Sequence, residues 1–258
     1  MPEMFKVLPP GEALKALLDH LGPEVRSEDL ATAEALDRTL CEKLTAPSSL
    51  PSFPRSTMDG YAVRAEDTFG ATESLPAYLS VIGEVPMGRI FEGVVGPAQA
   101  VVVYTGGMIP PGADAVVMVE RTQKLDEANI EVLRAVAPGE NMIQVGEDVK
   151  EGESLFDAGH ILRPQDLGGL MALGITRVRV AAALRAAILS TGDEVVSPEQ
   201  IPGPGQISDV NSYAIAGLIA RSGGIPLLQG IIKDTYDSLL SAAHSALNAS
   251  DLLVISAG

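Results

Sequence analysis

Tryptophan is absent from the 258 residues, phenylalanine and tyrosine number five each, and there is a single cysteine, Cys41. So few aromatic side chains leave no platform on which single-stranded nucleic acid could stack. A lone thiol forms no intrachain disulfide, which fits a reducing compartment, and Cys41 reads as a small buried side chain. Basic residues are also scarce: 18 Lys plus Arg stand against 34 Asp plus Glu, for a net charge of −16. A surface of that sign repels polyphosphate backbones and anionic membranes. His20, His160 and His244 are far apart in unrelated contexts, so neither a zinc site nor a Ser-His-Asp triad is expected, and each reads as a surface or helix-end residue. There is no Walker motif, no GxGxxG after a strand and no CxxC. No apolar run approaches the roughly 18 residues that a membrane span needs. The first twenty residues, with Glu3, Glu12 and Asp19, lack the layout of a signal peptide. The expectation is a soluble, cytoplasmic protein with neither nucleic-acid nor membrane partners.

What is present is a mixed α/β pattern long enough for two or more domains. Pro10-Gly11 opens a helix over 12–21 with Leu14, Leu17, Leu18 and Leu21 on one face, closed by Gly22-Pro23. Residues 30–44 read as partly helical around 34–38. Pro47, Pro51 and Pro54 then mark a linker into short extended runs at 78–82, 100–104, 115–119 and 130–133, punctuated by Gly and Pro. These predict a small, mostly β domain folded as a compact barrel or sandwich. A helix from Pro164 to Gly174 and a half-exposed strand at 176–180 follow. From Leu184 onward, apolar runs alternate with helical patterns capped by Asn211 and Thr235, their inner faces being Ile215, Leu218 and Ile219, then Leu239, Leu240, Ala243 and Leu247. Strand–helix–strand–helix–strand implies a parallel sheet. Because the chain stops on the last residues of a strand, a fragment of a longer protein is expected.

Chemistry belongs where carboxylates meet glycines and hydroxyls in turns. Ligands of open parallel sheets sit beyond the strand C-termini, and here that edge carries Thr191, Gly192, Asp193, Glu194 and Asp234. Three further turns are Ser56-Thr57-Met58-Asp59-Gly60-Tyr61, Gly146-Glu147-Asp148, and Thr105-Gly106-Gly107 running on to Pro111-Gly112-Ala113-Asp114. Taken singly each is an ordinary turn signal, with solvated acids as the plain alternative. Hydroxyls and glycine N–H groups hold oxyanions, while carboxylates hold Mg²⁺ that bridges to an anionic substrate. That set suits phosphoryl or oxyanion transfer and gives no support to hydride chemistry.

In this order and spacing, the turns, together with Gly205-Gln206-Ile207, Asp209, Asn211 and Gly230-Ile231-Ile232-Lys233-Asp234, resemble the molybdopterin molybdenumtransferase family, the MoeA type that includes the C-terminal domain of gephyrin. The resemblance implies an α/β plus β multi-domain protein: a parallel α/β molybdopterin-binding sheet domain, incomplete here, a small mostly β domain and a mixed linker/dimerisation domain. The implied segments are a helix at 1–22 packing on the sheet domain, linker/dimerisation pieces at 23–46 and 148–180, the β domain at 47–147 and the sheet domain at 181–258. It further implies insertion of molybdate into adenylylated molybdopterin with release of AMP, aided by Mg²⁺, in a homodimer whose cleft joins the sheet domain of one subunit to the β domain of the other. The implied catalytic acids are Asp59, Asp148, Glu194 and Asp234, and the implied substrate contacts are Thr105, Thr191, Gly192, Asp193, Ser256 and Gly258. Metal ligands stay unassigned. Two departures stand out: Pro54-Arg55 where the family usually has Asp-Asn, and Ser256-Ala257-Gly258 in place of Ser-Gly-Gly. A non-catalytic molybdopterin-binding or scaffold protein on the same fold is the alternative.

Overall fold

The computed structural model describes residues 8–20 and 25–257. Within it the chain forms two compact units: one of Met1–Glu42, Ala158–Leu167 and Thr176–Gly258, the other of Lys43–Asp157 and Gly168–Ile175. The expected boundaries at 47 and 147 both fall inside the second unit, because Leu44–Thr45 pairs antiparallel with Ser154–Phe156 and ties those flanks to it.

The second unit is built on one six-stranded sheet. In spatial order its strands are Ala115–Met118, Gly60–Val63, Gln99–Val103, Ala77–Glu84, Asn129–Val132 and Thr122–Lys124. All neighbours are antiparallel except Gln99–Val103 with Ala77–Glu84, which run parallel. Four of these strands coincide with the expected extended runs. Where a compact barrel or sandwich was expected, the main sheet is this open mixed one, with residues of the loops packed on both faces. Tyr61, Val63, Ala100, Ala115 and Val117 pack on one side, and Ala62, Val101, Val103 and Val116 on the other. The strand period of two therefore yields cores above and below, and each fully buried Val contributes on the order of 1.5–3 kcal/mol. Gly60–Val63 pairs on both edges and is buried throughout.

In the first unit Arg185–Thr191 is the central strand of a parallel three-stranded sheet, flanked by Ile225–Ile232 and Leu252–Ala257. Ala186, Ala187, Ile188 and Leu189 are completely buried, as their uninterrupted apolar run requires. Four helices are described: α1 (Pro10–His20), α2 (Pro164–Ala172), α3 (Asn211–Arg221) and α4 (Tyr236–Ala249). Helix α4 sets Ala242, Ala243 and Ala246 against Ala187 and Leu189. Leu240 and Leu247, expected inward, are about half exposed, as is Leu218 of α3. Ala243 packs inward as expected and Leu239 is half-buried, while the small residues Ala242 and Ala246 make the contacts expected of Leu240 and Leu247. The cap of α3 also differs: Asn211 begins the helix, and Asp209 Oδ1 accepts the Ser212 N–H at 3.1 Å. Thr235 does precede α4, but its hydroxyl donates to Ser238 Oγ at 2.8 Å and caps no N–H.

Ser27–Ala31 pairs antiparallel with Arg177–Ala181, and a short 3₁₀ turn at Thr32–Glu34 is all that forms of the helix expected around 34–38. Helix α1 forms where periodicity predicts it, yet none of its residues is buried. The packing on the sheet domain implied for it is therefore not made in the single chain. Its expected stop at Gly22-Pro23 lies outside the described residues. No described helix is long and apolar enough to cross a membrane.

Candidate functional site

Ser56 organises the site of the β unit. The strand Arg55–Ser56 pairs with Met142–Ile143, which leads into the 146–148 turn. On its other side Ser56 N–H donates to Gly107 O at 2.9 Å, and Gly106 N–H donates to Ser56 O at 2.8 Å. Three of the turn motifs, distant in sequence, thus meet at two residues. The buried Ser56 hydroxyl donates to Met58 O at 2.6 Å and accepts the Met58 N–H at 3.2 Å, closing a tight turn that presents Asp59.

Asp59 is held at both ends. Its carbonyl accepts Val119 N–H at 3.1 Å, and its Oδ1 accepts the Thr105 N–H at 2.7 Å and the Thr105 hydroxyl at 2.9 Å. These donors, the backbone one foremost, keep the carboxyl below the usual carboxylate range against a smaller opposing desolvation. The result is an exposed, ionised carboxylate of fixed orientation. Asp148, in the 146–148 turn, is anchored by its N–H to Leu50 O at 3.1 Å and faces the Arg55 guanidinium at 3.8 Å. Arg55, noticed in sequence only as a departure, is thus the cation beside one of the implied acids. It carried no local signal, since nothing between residues 55 and 148 announces their pairing.

The second group lies at the C-terminal edge of the parallel sheet. Ser190 aligns with Ser256 and Ile231, and Thr191 with Ala257 and Ile232. Thr191, buried, sends its hydroxyl toward Asp234 Oδ1 at 3.4 Å. Gly192 (φ +142°) turns the chain; an added Cβ would meet Val195 at 2.9 Å and Glu194 at 3.0 Å, so glycine is needed there. Glu194 is half-buried and Asp193 exposed, and Glu194 O accepts Ile207 N–H at 2.9 Å. Ser256 Oγ accepts from Asn211 Nδ2 at 3.0 Å. The structure brings Thr191, Gly192, Asp193, Glu194, Asp234 and Ser256 to one rim, while Gly258 lies outside the described residues. Asp59, Thr105 and Asp148 belong to the other unit.

Of the histidines, His20 ends α1 as expected. His160 departs from the surface role: its Nε2 lies 2.7 Å from Asp166 Oδ2, and Arg163 reaches both oxygens of that buried carboxylate at 3.0 Å. The Arg163 hydrogen bonds are the main cause that drives the Asp166 carboxyl far below the usual range.

Known proteins resemble the chain over nearly its whole length. Residues 8–174 match the MoeA N-terminal region (domain I and II), and residues 187–258 match a probable molybdopterin binding domain. The chain is 35% identical over 252 residues to a putative molybdopterin biosynthesis protein of Methanocaldococcus jannaschii, covering 94% of this chain and 60% of that one. It is 33% identical over 261 residues to the molybdopterin molybdenumtransferase of Bacillus subtilis, covering 100% of this chain and 60% of that one. The crystal structure of the molybdopterin biosynthesis MoeA protein of Pyrococcus horikoshii OT3 superposes with a TM-score of 0.89 at 40% identity, over 97% of this chain and 66% of that chain. The chain therefore spans about 60% of the length of the curated relatives it matches, and by these matches it belongs to the MoeA family.

Proposed function

We propose that this chain carries domains of a molybdopterin molybdenumtransferase, which inserts molybdate into adenylylated molybdopterin and releases AMP. The observation that carries the reading is that the dispersed acidic turns assemble into two sites of one chemical type. In each, a threonine hydroxyl is directed at an aspartate: Thr105 at Asp59, and Thr191 at Asp234.

In this reading Asp59, Asp148, Glu194 and Asp234 are the catalytic acids. Thr105, Thr191, Gly192, Asp193, Ser256 and Gly258 contact the substrate. Asp59, ionised and fixed by Thr105, orients water or a protonated group of the substrate. Asp148, with Arg55 beside it, presents a paired charge that admits an oxyanion more readily than a bare carboxylate does. Glu194 and Asp234 orient Mg²⁺ and water at the nucleotide phosphate.

The donor set fits that ion. The rim offers carboxylate and hydroxyl oxygens, and among the described residues no three His, Cys, Asp or Glu side chains gather into a complete metal cage. Mg²⁺ is commonly held by one or two carboxylates, with waters and substrate phosphates completing its shell. Bound there, it would neutralise phosphate charge on a protein that is itself strongly acidic. The reading includes a homodimer, working in the cytoplasm.

The test is AMP release from adenylylated molybdopterin. Release that depends on molybdate, and that falls tenfold or more in Asp59→Asn and Asp234→Asn, supports the transferase. Tight molybdopterin binding without any AMP release supports the scaffold reading in its place.

A further inference from the structure

The first turn of α3 takes its cap from Asp209, whose Oδ1 accepts the Ser212 N–H at 3.1 Å. Asn211, the first residue of the helix, is therefore relieved of capping, although the cap is where asparagine serves a helix best. Its side chain instead reaches a residue 45 positions away: Asn211 Nδ2 donates to Ser256 Oγ at 3.0 Å. Ser256 is half-buried near the end of Leu252–Ala257 and aligns with Ser190 of the central strand. Among the described residues neither side chain makes any other hydrogen bond or ion pair. The asparagine thus contributes nothing to the helix through its side chain, and its amide serves the serine.

A serine or threonine hydroxyl has one proton to donate and two lone pairs that accept. Thr191 and Ser256, the two hydroxyls of the rim named above as substrate contacts, use these in opposite senses. Thr191 spends its proton on Asp234, an ionised carboxylate that can only accept. Ser256 receives a hydrogen bond from the Asn211 amide, which fills one lone pair and leaves the serine O–H without an acceptor among the described residues. The rim therefore offers two chemistries: Thr191 with Asp234 presents negative charge to a cation, and Ser256 presents a proton. In a chain of 34 acids and 18 bases, a neutral donor with no carboxylate partner is what an oxyanion needs.

We infer that Asn211 is a positioning residue, whose amide sets the rotation of the Ser256 hydroxyl so that the serine proton is directed to an oxyanion of the substrate, molybdate or the nucleotide phosphate. The inference rests on the transferase reading, in which Ser256 contacts the substrate, and adds the group that sets the polarity of that contact. An amide is suited to the task and a carboxylate is not. Aspartate at position 211 would have nearly the same shape, but it could only accept, and it would take the serine proton for itself.

Kinetics of AMP release, with molybdate and adenylylated molybdopterin varied in turn, test it in Asn211→Ala, Asn211→Asp, Ser256→Ala and the two double variants. Ser256→Ala is expected to raise the KM of one of the two substrates about tenfold, by loss of a hydrogen bond to a charged group, with a smaller effect on kcat. Whichever KM moves identifies the oxyanion. Asn211→Ala raises the same KM to a lesser extent. Asn211→Asp raises it at least as much as Asn211→Ala, whereas a residue needed only for shape would be replaced better by aspartate than by alanine. In the Ser256→Ala background Asn211→Ala adds nothing further, because the residue acts through the serine. Calorimetric titration of the same proteins with molybdate and with inorganic phosphate reads the pattern without turnover, and thermal midpoints confirm that each is folded. A wild-type KM in Asn211→Asp, or an Asn211→Ala effect undiminished in the Ser256→Ala background, overturns the inference. AMP release that Ser256→Ala leaves unchanged overturns it and spares the transferase. A wild type that never releases AMP with molybdate, yet shows the calorimetric pattern, overturns the transferase reading and keeps the role of Asn211. Neither release nor oxyanion binding overturns both.

Discussion

Thr105 donates its backbone N–H and its hydroxyl to the same oxygen of Asp59, at 2.7 and 2.9 Å. One residue thus sets both the direction and the ionisation of the carboxylate. The Asp59 pKa is depressed in the folded chain, so the stabilisation from its ionised form is present above the unfolded carboxylate value and is lost as pH falls through the folded one. Thr105→Val keeps the shape and the N–H but removes the hydroxyl. The Asp59 titration, followed by carbon-13 NMR of the carboxyl, is expected to move up toward the ordinary range without reaching it. An unchanged titration in the valine variant would assign the depression to the backbone bond alone.

Asp166 is the second carboxylate that geometry commits to one state. Its side chain is only 4% exposed and meets Arg163 through two side-chain hydrogen bonds and one backbone N–H, with His160 as a further partner. Its pKa too is depressed, so its contribution is full above the unfolded carboxylate pKa and disappears in acid. Asp166→Asn keeps the volume but removes the charge, and is expected to cost about 1–3 kcal/mol in denaturant unfolding at neutral pH. The gap between wild type and variant should shrink as pH falls below about 4. A gap that persists unchanged at pH 2 would mean that packing, rather than charge, carries the effect.

Gly60 makes a prediction about stability alone. A Cβ at this position would lie 2.0 Å from Val117 O, a backbone atom of the adjacent strand. Gly60–Val63 is held between Gln99–Val103 and the edge strand Ala115–Met118, and the edge strand cannot move away without breaking its pairing with Gly60–Val63. Gly60→Ala is expected to lose stability at or beyond the upper end of the roughly 1–3 kcal/mol typical of overpacking, read as a lowered denaturation midpoint.

The same residue shows where sequence and structure part. Asp59-Gly60 is a turn signal and nothing more in sequence; that a fully buried strand begins at Gly60 follows only from Val103 and Met118, which pair with it from more than forty residues away. The apolar runs at 186–189 and 115–117 were legible because their composition alone requires burial. Helix ends marked by glycine, such as Gly174 (φ +74°) after α2, were legible for the same local reason. Ser27–Ala31 was not, because its Ser-Glu-Asp start carries no strand pattern and pairing with Arg177–Ala181 supplies the conformation. The site followed this rule. Its members could be named from resemblance, but the meeting of the Asp59, Thr105 and Asp148 segments on Arg55–Ser56 is made by long-range hydrogen bonds that no local spacing encodes.

Arg55 and Asp148, 3.8 Å apart, are 38% and 55% exposed at the side chain. An ion pair so open to water contributes about 0–1 kcal/mol, so Arg55→Gln should leave thermal stability nearly unchanged. If the pair serves an oxyanion, the variant is expected to raise the molybdate KM several-fold with little change in kcat. A fall in kcat at constant KM would place Arg55 in the chemical step.

Asp234 is exposed and its contact with the Thr191 hydroxyl is long, at 3.4 Å. A carboxylate so weakly engaged within the protein is free to serve a cation, and its loss should cost little folding energy. Asp234→Asn is therefore expected to unfold near the wild-type midpoint while needing about tenfold more Mg²⁺ for half-maximal AMP release. Chelation with EDTA should abolish release in both proteins, and added Mg²⁺ should restore it at the higher concentration in the variant. Thr191→Val is the control, since it removes the hydroxyl that steadies Asp234 but leaves its charge, and a smaller shift in the same direction is expected. If Asp234→Asn lowers the maximal rate at saturating Mg²⁺ and leaves the half-maximal concentration alone, the carboxylate acts on the substrate directly and the ion is held elsewhere on the rim.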